Sequence, residues 1–361
     1  SNFSLHTPIF DKSDINSISQ AIKSTWISTK GKKTIIFENL LGKYFKTKYA
    51  VATNSGTSAL FLSLKSLNVK IGDEIIIPNI SFIAVPNAII YNGATPHIVD
   101  TTENELNICP EKLENYLVKN TKIVNNNCIN KKTGKRIAGI IAVHIFGHMC
   151  DMDRLKKICK KFKMFLIEDA AEAVGSLYKK KKPGFYSDIA TVSFNGNKII
   201  TTGAGGAIIT NNKNLYKKIL SLSTLNNRPN SNYQNFIRLG YNLRMPSLNA
   251  SLGISQLKKI NTQVMKKRRI YESYKKLFIK QKKYFYLYGE NKNQKSNYWL
   301  QCIIINKDYE KYSLNIFKKI KKKKISARML WSPMNEIPYL KNSPRSNLKN
   351  SLEICKRVIC I

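Results

Sequence analysis

The sequence predicts an α/β fold: a large domain with a mostly parallel sheet between helices, followed by a smaller C-terminal α+β domain. Three observations carry this. Short apolar runs alternate with helical patterns from residue 48 to about 210. The runs are continuous, as expected of strands covered on both faces, and do not alternate with polar residues. From about residue 212 the pattern changes to long lysine-rich helical stretches with a few strand-like segments between them. A chain of 361 residues, 43% hydrophobic and 10% aromatic, can bury a core of this size.

Taken in order, "YAVAT" (49–53) reads as a strand and "TSALFLSLKSL" as the helix after it. "EIIIP" (74–78) is followed by the helical "VPNAIIYNG" and then by the strand "PHIVD" (96–100). "IAGIIAVHIF" (137–146), a helix around "MDRLKKICKKF", and "MFLIE" (164–168) come next, and "IATVSF" (189–194) and "GAIIT" (206–210) complete the series. Beyond it lie helical patterns through 247–284, a strand-like "YWLQCIIIN" (298–306), a basic helix near 311–322 and a strand near 324–330. The expected division is 1–245 for the large domain and 246–361 for the small one.

The formal charge of +39 raises the question of nucleic acid. The basic runs "KKKK" (179–182), "KKRR" (266–269) and "KKIKKKK" (318–324) lie far apart and lack interleaved aromatic residues. They read as separate solvated faces, so no specific nucleic-acid partner is expected, although such a field attracts anions in general. No apolar run approaches the 18 residues of a membrane span, and the N-terminus lacks a signal-peptide pattern,. A cytoplasmic protein is expected, its start at Ser1 without Met suggesting processing or an artificial scar. Seven scattered cysteines without a CxxC pair, and only four histidines, indicate neither a disulfide framework nor a metal centre.

Ligands of such sheets sit beyond the carboxyl ends of the strands, and three features fall there. In "NSGTSAL" (54–60), Gly56 allows close backbone approach, and the first-turn amides with the Thr57 and Ser58 hydroxyls can hold a phosphate,. Taken alone it is equally an ordinary capped helix start. In "LIEDAAEAVGS" (166–176), Glu168 and Asp169 end a buried-looking strand, where an acid can keep a ring nitrogen protonated,. It could also simply cap the next helix. Third, Lys198 sits in "SFNGNKIITTGAGG" (193–206), a secluded lysine suited to act as an amine nucleophile,. Phosphate cradle, buried acid and secluded lysine, in that order on one sheet, describe a pyridoxal phosphate site.

With these motifs the chain resembles the DegT/DnrJ/EryC1/StrS sugar aminotransferases, within the fold-type I pyridoxal phosphate enzymes. The matching stretches include "NSGTSAL", "VHIFGHMCDMD", "EDAAEAVGS", "SFNGNKIITTGAGGAI" and "LGYNLRMPSLNASLG", and they run from about residue 20 to 260. "CINKKTGKRIAGIIAVHIFGH" and "SFNGNKIITTG" resemble the LegC-like branch, which aminates C4 of UDP-linked 4-keto-6-deoxy N-acetyl sugars for legionaminic-acid-type glycans. The resemblance makes Lys198 the Schiff-base lysine and Asp169 the partner of the pyridine nitrogen. It sets Glu172 near the cofactor's phenolic oxygen, Phe82 on the ring face, and Gly56, Thr57, Ser58 and Ser193 on the phosphate. It implies that Asn242 reaches the phosphate of a neighbouring subunit, hence a homodimer, and that Trp26, Ser28 and Arg328 contact the substrate. Glutamate and a nucleotide-linked keto sugar are the implied substrates of a ping-pong transfer.

The chain departs from the family pattern at Ala204, at Asn335 in place of a histidine, and after "CKRVICI", where relatives continue for roughly 20 residues and the small domain is therefore expected to be incomplete. Two other enzyme readings stay open. A 3-keto sugar aminotransferase shares the motifs, and a dehydratase of the same family would carry histidine where this chain has Lys198.

Overall fold

The computed structural model describes residues 5–226 and 239–361. Two helices, α1 (Lys12–Lys23) and α2 (Lys32–Phe45), precede the first strand. Asp11 and Asp14 start α1 in a reciprocal capping box, which satisfies backbone N–H groups that the first turn leaves unpaired,. The chain then alternates through β1 (Tyr49–Thr53), α3 (Gly56–Ser66), β2 (Glu74–Pro78), α4 (Ala84–Tyr91), β3 (Thr95–Val99) and α5 (Pro110–Asn120). A hairpin of β4 (Thr121–Val124) and β5 (Asn127–Asn130) follows. It turns on Asn125 and Asn126, both at positive φ (47° and 60°), as a tight two-residue hairpin requires. Next come β6 (Ile137–Val143), α6 (Met152–Lys161), β7 (Phe165–Asp169), the short β8 (Leu177–Tyr178), β9 (Ile189–Ser193), β10 (Gly206–Thr210) and α7 (Lys213–Ser223).

Seven of these strands form one sheet in the order β1-β10-β9-β7-β6-β2-β3. All run parallel except β10, which is antiparallel to both β1 and β9. β2, β6, β9 and β10 are buried along their whole length, and this explains their unbroken apolar runs,. Both edges are covered. Ile98 of β3 donates to Pro344 O (2.8 Å) and accepts from Ser346 N (3.0 Å). On the other edge, Met245 N donates to Ala52 O (3.1 Å), and Arg244 forms an ion pair with the buried Glu38 of α2.

The remaining elements are α8 (Ser247–Lys258), α9 (Ile260–Phe278), β11 (Phe285–Leu287), β12 (Gln294–Lys295), β13 (Cys302–Ile305), α10 (Ser313–Lys322), β14 (Arg328–Met329), α11 (Lys349–Cys355) and β15 (Val358–Cys360). β12 pairs with β8, tying this half of the chain to the loop after β7. A second, antiparallel sheet has the order β11-β13-β15-β14. Ile303, Ile305 and Ile359 on one face pack under Phe278 of α9 and Ile316, Phe317 and Ile320 of α10. On its opposite face Cys302 and Cys360, directly paired across β13 and β15, bring their sulfurs to 3.3 Å. The expected division near 246 falls at the start of α8, a helix that lies against α1 and α2: Ser17 Oγ donates to Ser251 O (2.6 Å). Lys259, between α8 and α9, reaches both Asp11 and Asp14 (2.8 and 2.5 Å).

One basic run differs from its sequence reading. Lys266 and Arg269 are exposed, but Lys267 and Arg268 are half-buried. Arg268 holds Glu290 and Ser296 O, and burial lowers the Lys267 ammonium to about 8, so this run is partly structural. Among the described residues no helix is long and apolar enough to cross a membrane.

Candidate active site

The carboxyl ends of β1, β7 and β9 open on one cavity of about 300 Å³. Alternation along β7 divides its two terminal acids. Glu168 turns away from the cavity, where its carboxylate accepts from His144 Nε2 (3.0 Å), Ser187 Oγ (2.6 Å) and Gly184 N (2.9 Å). His144 Nδ1 in turn accepts from Cys150 N (3.1 Å), which fixes the tautomer with Nε2–H on Glu168. Asp169 faces the cavity and is 5% exposed. Burial, helped by Glu172, pushes its carboxyl up to about 6, against the opposing effects of the Ala171 amide and Lys198,.

At one end of the cavity, Ser55 caps α3 through its hydroxyl, which accepts from Ser58 N (3.0 Å). The Gly56 and Thr57 positions of the first turn lie on the wall beside Ser193 and Asn195, where first-turn amides lack intrahelical partners. The approach is close: a Cβ on Gly56 would meet Ser193 Cβ at 3.0 Å, and one on Gly206 would meet Ser55 O at 2.6 Å. This is a backbone cradle of the size and polarity for a phosphate.

Lys198 ends a turn closed by its own N–H to Asn195 O (3.0 Å). The loop is tied at its base by Phe194, whose N–H donates to Gly205 O (2.9 Å) and whose carbonyl accepts from Thr202 N (2.9 Å). The Lys198 amine lies 3.4 Å from Glu172 Oε1 and 3.9 Å from the centre of the Trp299 ring. Glu172 is held by Phe146 N–H at its other oxygen (2.8 Å). Trp299 is held by Asn197 O, which accepts from its indole N–H (2.7 Å). Behind them Asn297 bridges the two halves of the chain. Its Nδ2 donates to Glu172 O and Val174 O (2.8 and 2.9 Å), and its Oδ1 accepts from Trp299 N (2.8 Å). The carbonyl of Lys198 accepts from His6 Nε2 (3.0 Å), and burial lowers this imidazole to about 4, so it is neutral near pH 7.

Arg328, on β14, completes the wall. Its guanidinium carbon lies 5.7, 5.7 and 5.3 Å from the ring centres of Phe146, Trp299 and Trp331. Phe82 forms the outer rim, half exposed and 5.9 Å from the Trp331 ring centre.

The structure thus brings Gly56, Thr57, Phe82, Asp169, Glu172, Ser193, Lys198 and Arg328 to one cavity. Ser58 stands behind it with its hydroxyl 2.9 Å from Ser55 Oγ. Trp26, Ser28 and Asn242 are exposed and off its wall. Ser28 O accepts from Ser247 N (3.0 Å), so that segment rests on the start of α8. Ala204 lines the cavity, whereas Asn335 is fastened by its backbone N–H to Asn79 Oδ1 (3.0 Å), away from the wall. Sequence reading missed Ser55, Asn195, Phe146, Asn297, Trp299 and Trp331. Two of the three tryptophans of the chain were the available signal, and as large apolar residues they read equally well as core.

These residues fit pyridoxal 5′-phosphate: a backbone cradle for its phosphate, a buried acid for its ring nitrogen and a lysine between them and an aromatic wall. Fold and site together define the class, that of the fold-type I pyridoxal phosphate aminotransferases. The chain belongs to the DegT/DnrJ/EryC1/StrS aminotransferase family, which it matches over residues 8–361. It is 34% identical over 321 residues to the GDP-perosamine synthase of Escherichia coli O157:H7, covering 89% of this chain and 82% of that protein. It is 33% identical over 333 residues to a UDP-4-amino-4,6-dideoxy-N-acetyl-beta-L-altrosamine transaminase of Campylobacter jejuni (92% and 84% covered). Among solved structures, Helicobacter pylori PseC, an aminotransferase of pseudoaminic acid biosynthesis, superposes with a TM-score of 0.88 at 26% identity, over 100% of this chain and 93% of that one.

Proposed function

We propose that this enzyme moves an amino group from glutamate to C4 of a UDP-linked 4-keto-6-deoxy-N-acetylhexosamine, in the cytoplasm, for a surface glycan of the legionaminic-acid type or a related one. The observation that carries the aminotransfer reading is the Lys198 amine held between Glu172 and Trp299, on the same wall as Asp169. Support for the C4 and UDP assignments comes from the name of the Campylobacter relative, which carries both UDP and a 4-amino group, and from the LegC-like phrases of the sequence. A GDP-linked sugar is the second reading, supported by the similarity to GDP-perosamine synthase.

In this reading Gly56, Thr57, Ser58 and Ser193 hold the cofactor's phosphate, Phe82 covers its ring and Lys198 anchors it covalently. The cofactor, when bound, supplies a ring that accepts the electron pair left when a proton leaves the donor's α-carbon. Asp169, ionised, keeps the ring nitrogen protonated. The Lys198 amine, once free, takes the proton from that α-carbon and later delivers one to the sugar carbon. Glu172 orients the amine and is itself locked by Phe146 N–H. Trp299 covers one side of the amine and keeps water from it.

The positions of Trp26, Ser28 and Asn242 off the cavity support a second subunit as their destination: in a two-fold dimer each chain gives its Asn242 to the other's phosphate site. The deciding experiment incubates the enzyme with glutamate and UDP-, GDP- and dTDP-linked keto sugars and reads the product regiochemistry by NMR. Amination at C4 of the UDP-N-acetyl sugar is expected. Exclusive turnover of a GDP sugar, or amination at C3, would replace the assignment.

A further inference from the structure

We propose that the helical cover of the second sheet, formed by the end of α9 and by α10, docks on the surface of an anionic phospholipid bilayer. The inference does not depend on which substrate the cavity takes.

In the sequence the basic run at 318–324 stands alone. The fold gives it a neighbour. Residues 275–284, at and just beyond the end of α9, and residues 311–324, in and around α10, cover the same face of the sheet. Phe278 from the first stretch and Ile316, Phe317 and Ile320 from the second pack on Ile303, Ile305 and Ile359. Asn306 fastens the first stretch to the chain that leads into α10. Its Nδ2 donates to the carbonyls of Lys282 and Lys283 (2.8 and 2.9 Å), and its backbone N–H to Tyr284 O (2.9 Å).

Five lysines lie in 275–284 and seven in 311–324, with no aspartate or glutamate in either stretch. All twelve are exposed. Among the described residues only Lys275 of the twelve has a carboxylate partner, Glu272 at 4.0 Å. The same surface exposes large apolar side chains: Leu277 is 70% exposed, Ile279 58%, Leu314 54%, and Tyr284 and Tyr312 46% each. On α10, Leu314 shares a stripe with Lys318 and Lys322, four and eight residues on, away from the side that Ile316 and Ile320 press on the sheet,.

Charge alone would attract any polyanion. Two features select a bilayer. Exposed aliphatic side chains offer nothing on which a nucleic-acid base stacks, but they enter the boundary between headgroups and acyl chains, where tyrosine also settles. All twelve cations are lysine and none is arginine. A diffuse layer of lipid phosphates is met by point charges, whereas recognition of single phosphates favours the arginine fork. The opposite face of the sheet, with Cys302 and Cys360, turns to the main core, and none of the twelve lysines lines the cavity. Docking by this cover therefore leaves the cavity wall untouched.

The test is sedimentation of the folded protein with vesicles of phosphatidylglycerol and phosphatidylcholine at about 0.15 M salt, with vesicles of phosphatidylcholine alone as the reference. Binding to the anionic vesicles only is expected. Replacing Lys280, Lys318, Lys319 and Lys322 together by Gln should weaken it by at least about 100-fold, as roughly fivefold per lysine at the surface predicts. Replacing Lys156, Lys157, Lys160 and Lys163, exposed on and just after α6, removes the same charge and should change binding by less than about threefold. Leu277→Ser with Leu314→Ser should weaken it by about tenfold. Circular dichroism establishes that each variant is folded. Absence of binding to the anionic vesicles overturns the proposal, as does equal weakening by the two lysine sets, which marks a response to net charge alone. Unchanged binding in the leucine variant overturns it too. Tighter binding to duplex DNA or RNA, lost with the first lysine set and kept with the leucine pair, gives this face to nucleic acid instead.

Discussion

At the scale of single residues, Asp169 makes the site measurable without substrate. Its carboxyl is raised from 3.8 to about 6 by burial. The folded chain therefore holds this proton more tightly than the unfolded chain does. The burden on stability is absent below the unfolded value, grows as pH rises between about 4 and 6, and is complete above that. For a shift of this size the burden is roughly 3 kcal/mol. In the cofactor-free protein, Asp169→Asn should stabilise by up to that amount at pH 7.5 and by little at pH 4.5, as read by urea unfolding at the two values. The same substitution should abolish most turnover, because an amide does not keep a ring nitrogen protonated. Equal stability changes at both pH values would show that this carboxyl titrates alike in the folded and the unfolded chain. Lys198→Ala is expected to remove turnover and the yellow colour of the covalently held cofactor while leaving the fold intact, since the loop is tied by Phe194 and not by the lysine side chain. Visible absorbance and circular dichroism of the purified variant check both statements.

At the scale of elements, the parts that line the cavity were legible where sequence and physics coincide. Buried parallel strands need unbroken apolar runs, and a phosphate cradle needs Gly56, so β1, α3, β7 and β9 were read correctly with their exits. The direction of β10 was not readable, because "GAIIT" is equally apolar whichever way it runs. The hairpin of β4 and β5 was missed because its strands are only four residues long, with Ile123 and Val124 of β4 exposed and only Cys128 of β5 reaching the apolar core. The aromatic wall was missed because Phe146, Trp299 and Trp331 come from three distant segments and meet only when the second sheet is set beside the first. Asn297 is the joint between these parts, and its loss should be felt in both. Asn297→Ala leaves Glu172 O, Val174 O and Trp299 N without their side-chain partners. The expected cost is about 2–4 kcal/mol, measured by chemical unfolding. A loss below about 0.5 kcal/mol would mean that solvent or neighbouring groups replace all three bonds.

At the scale of the whole molecule, the exposed Asn242 and the proposal that it serves a partner's phosphate site make subunit exchange informative. Lys198→Ala and Asn242→Ala chains, each inactive alone, are expected to regain activity when mixed, because one site of the mixed dimer has both groups. Demonstrated exchange with no recovered activity rules out shared sites. The reversed strand β10 has a separate consequence, for the order in which the protein forms. β2, β6 and β7 each find a neighbour within a short stretch of chain, but among the described residues β1 pairs only with β10, some 160 residues later, and with the segment at 243–245. Contacts of such separation form late, because the intervening chain must be closed first. β1, with the phosphate cradle attached to its end, is therefore a latecomer to its own sheet. In pulsed hydrogen exchange during refolding, the amides of Ile76, Ile140 and Ile167 should become protected before that of Val51, which lies opposite Ile208 of β10. Until it does, a newly made chain holds Lys198 in its loop but has not yet set the proposed phosphate cradle beside it.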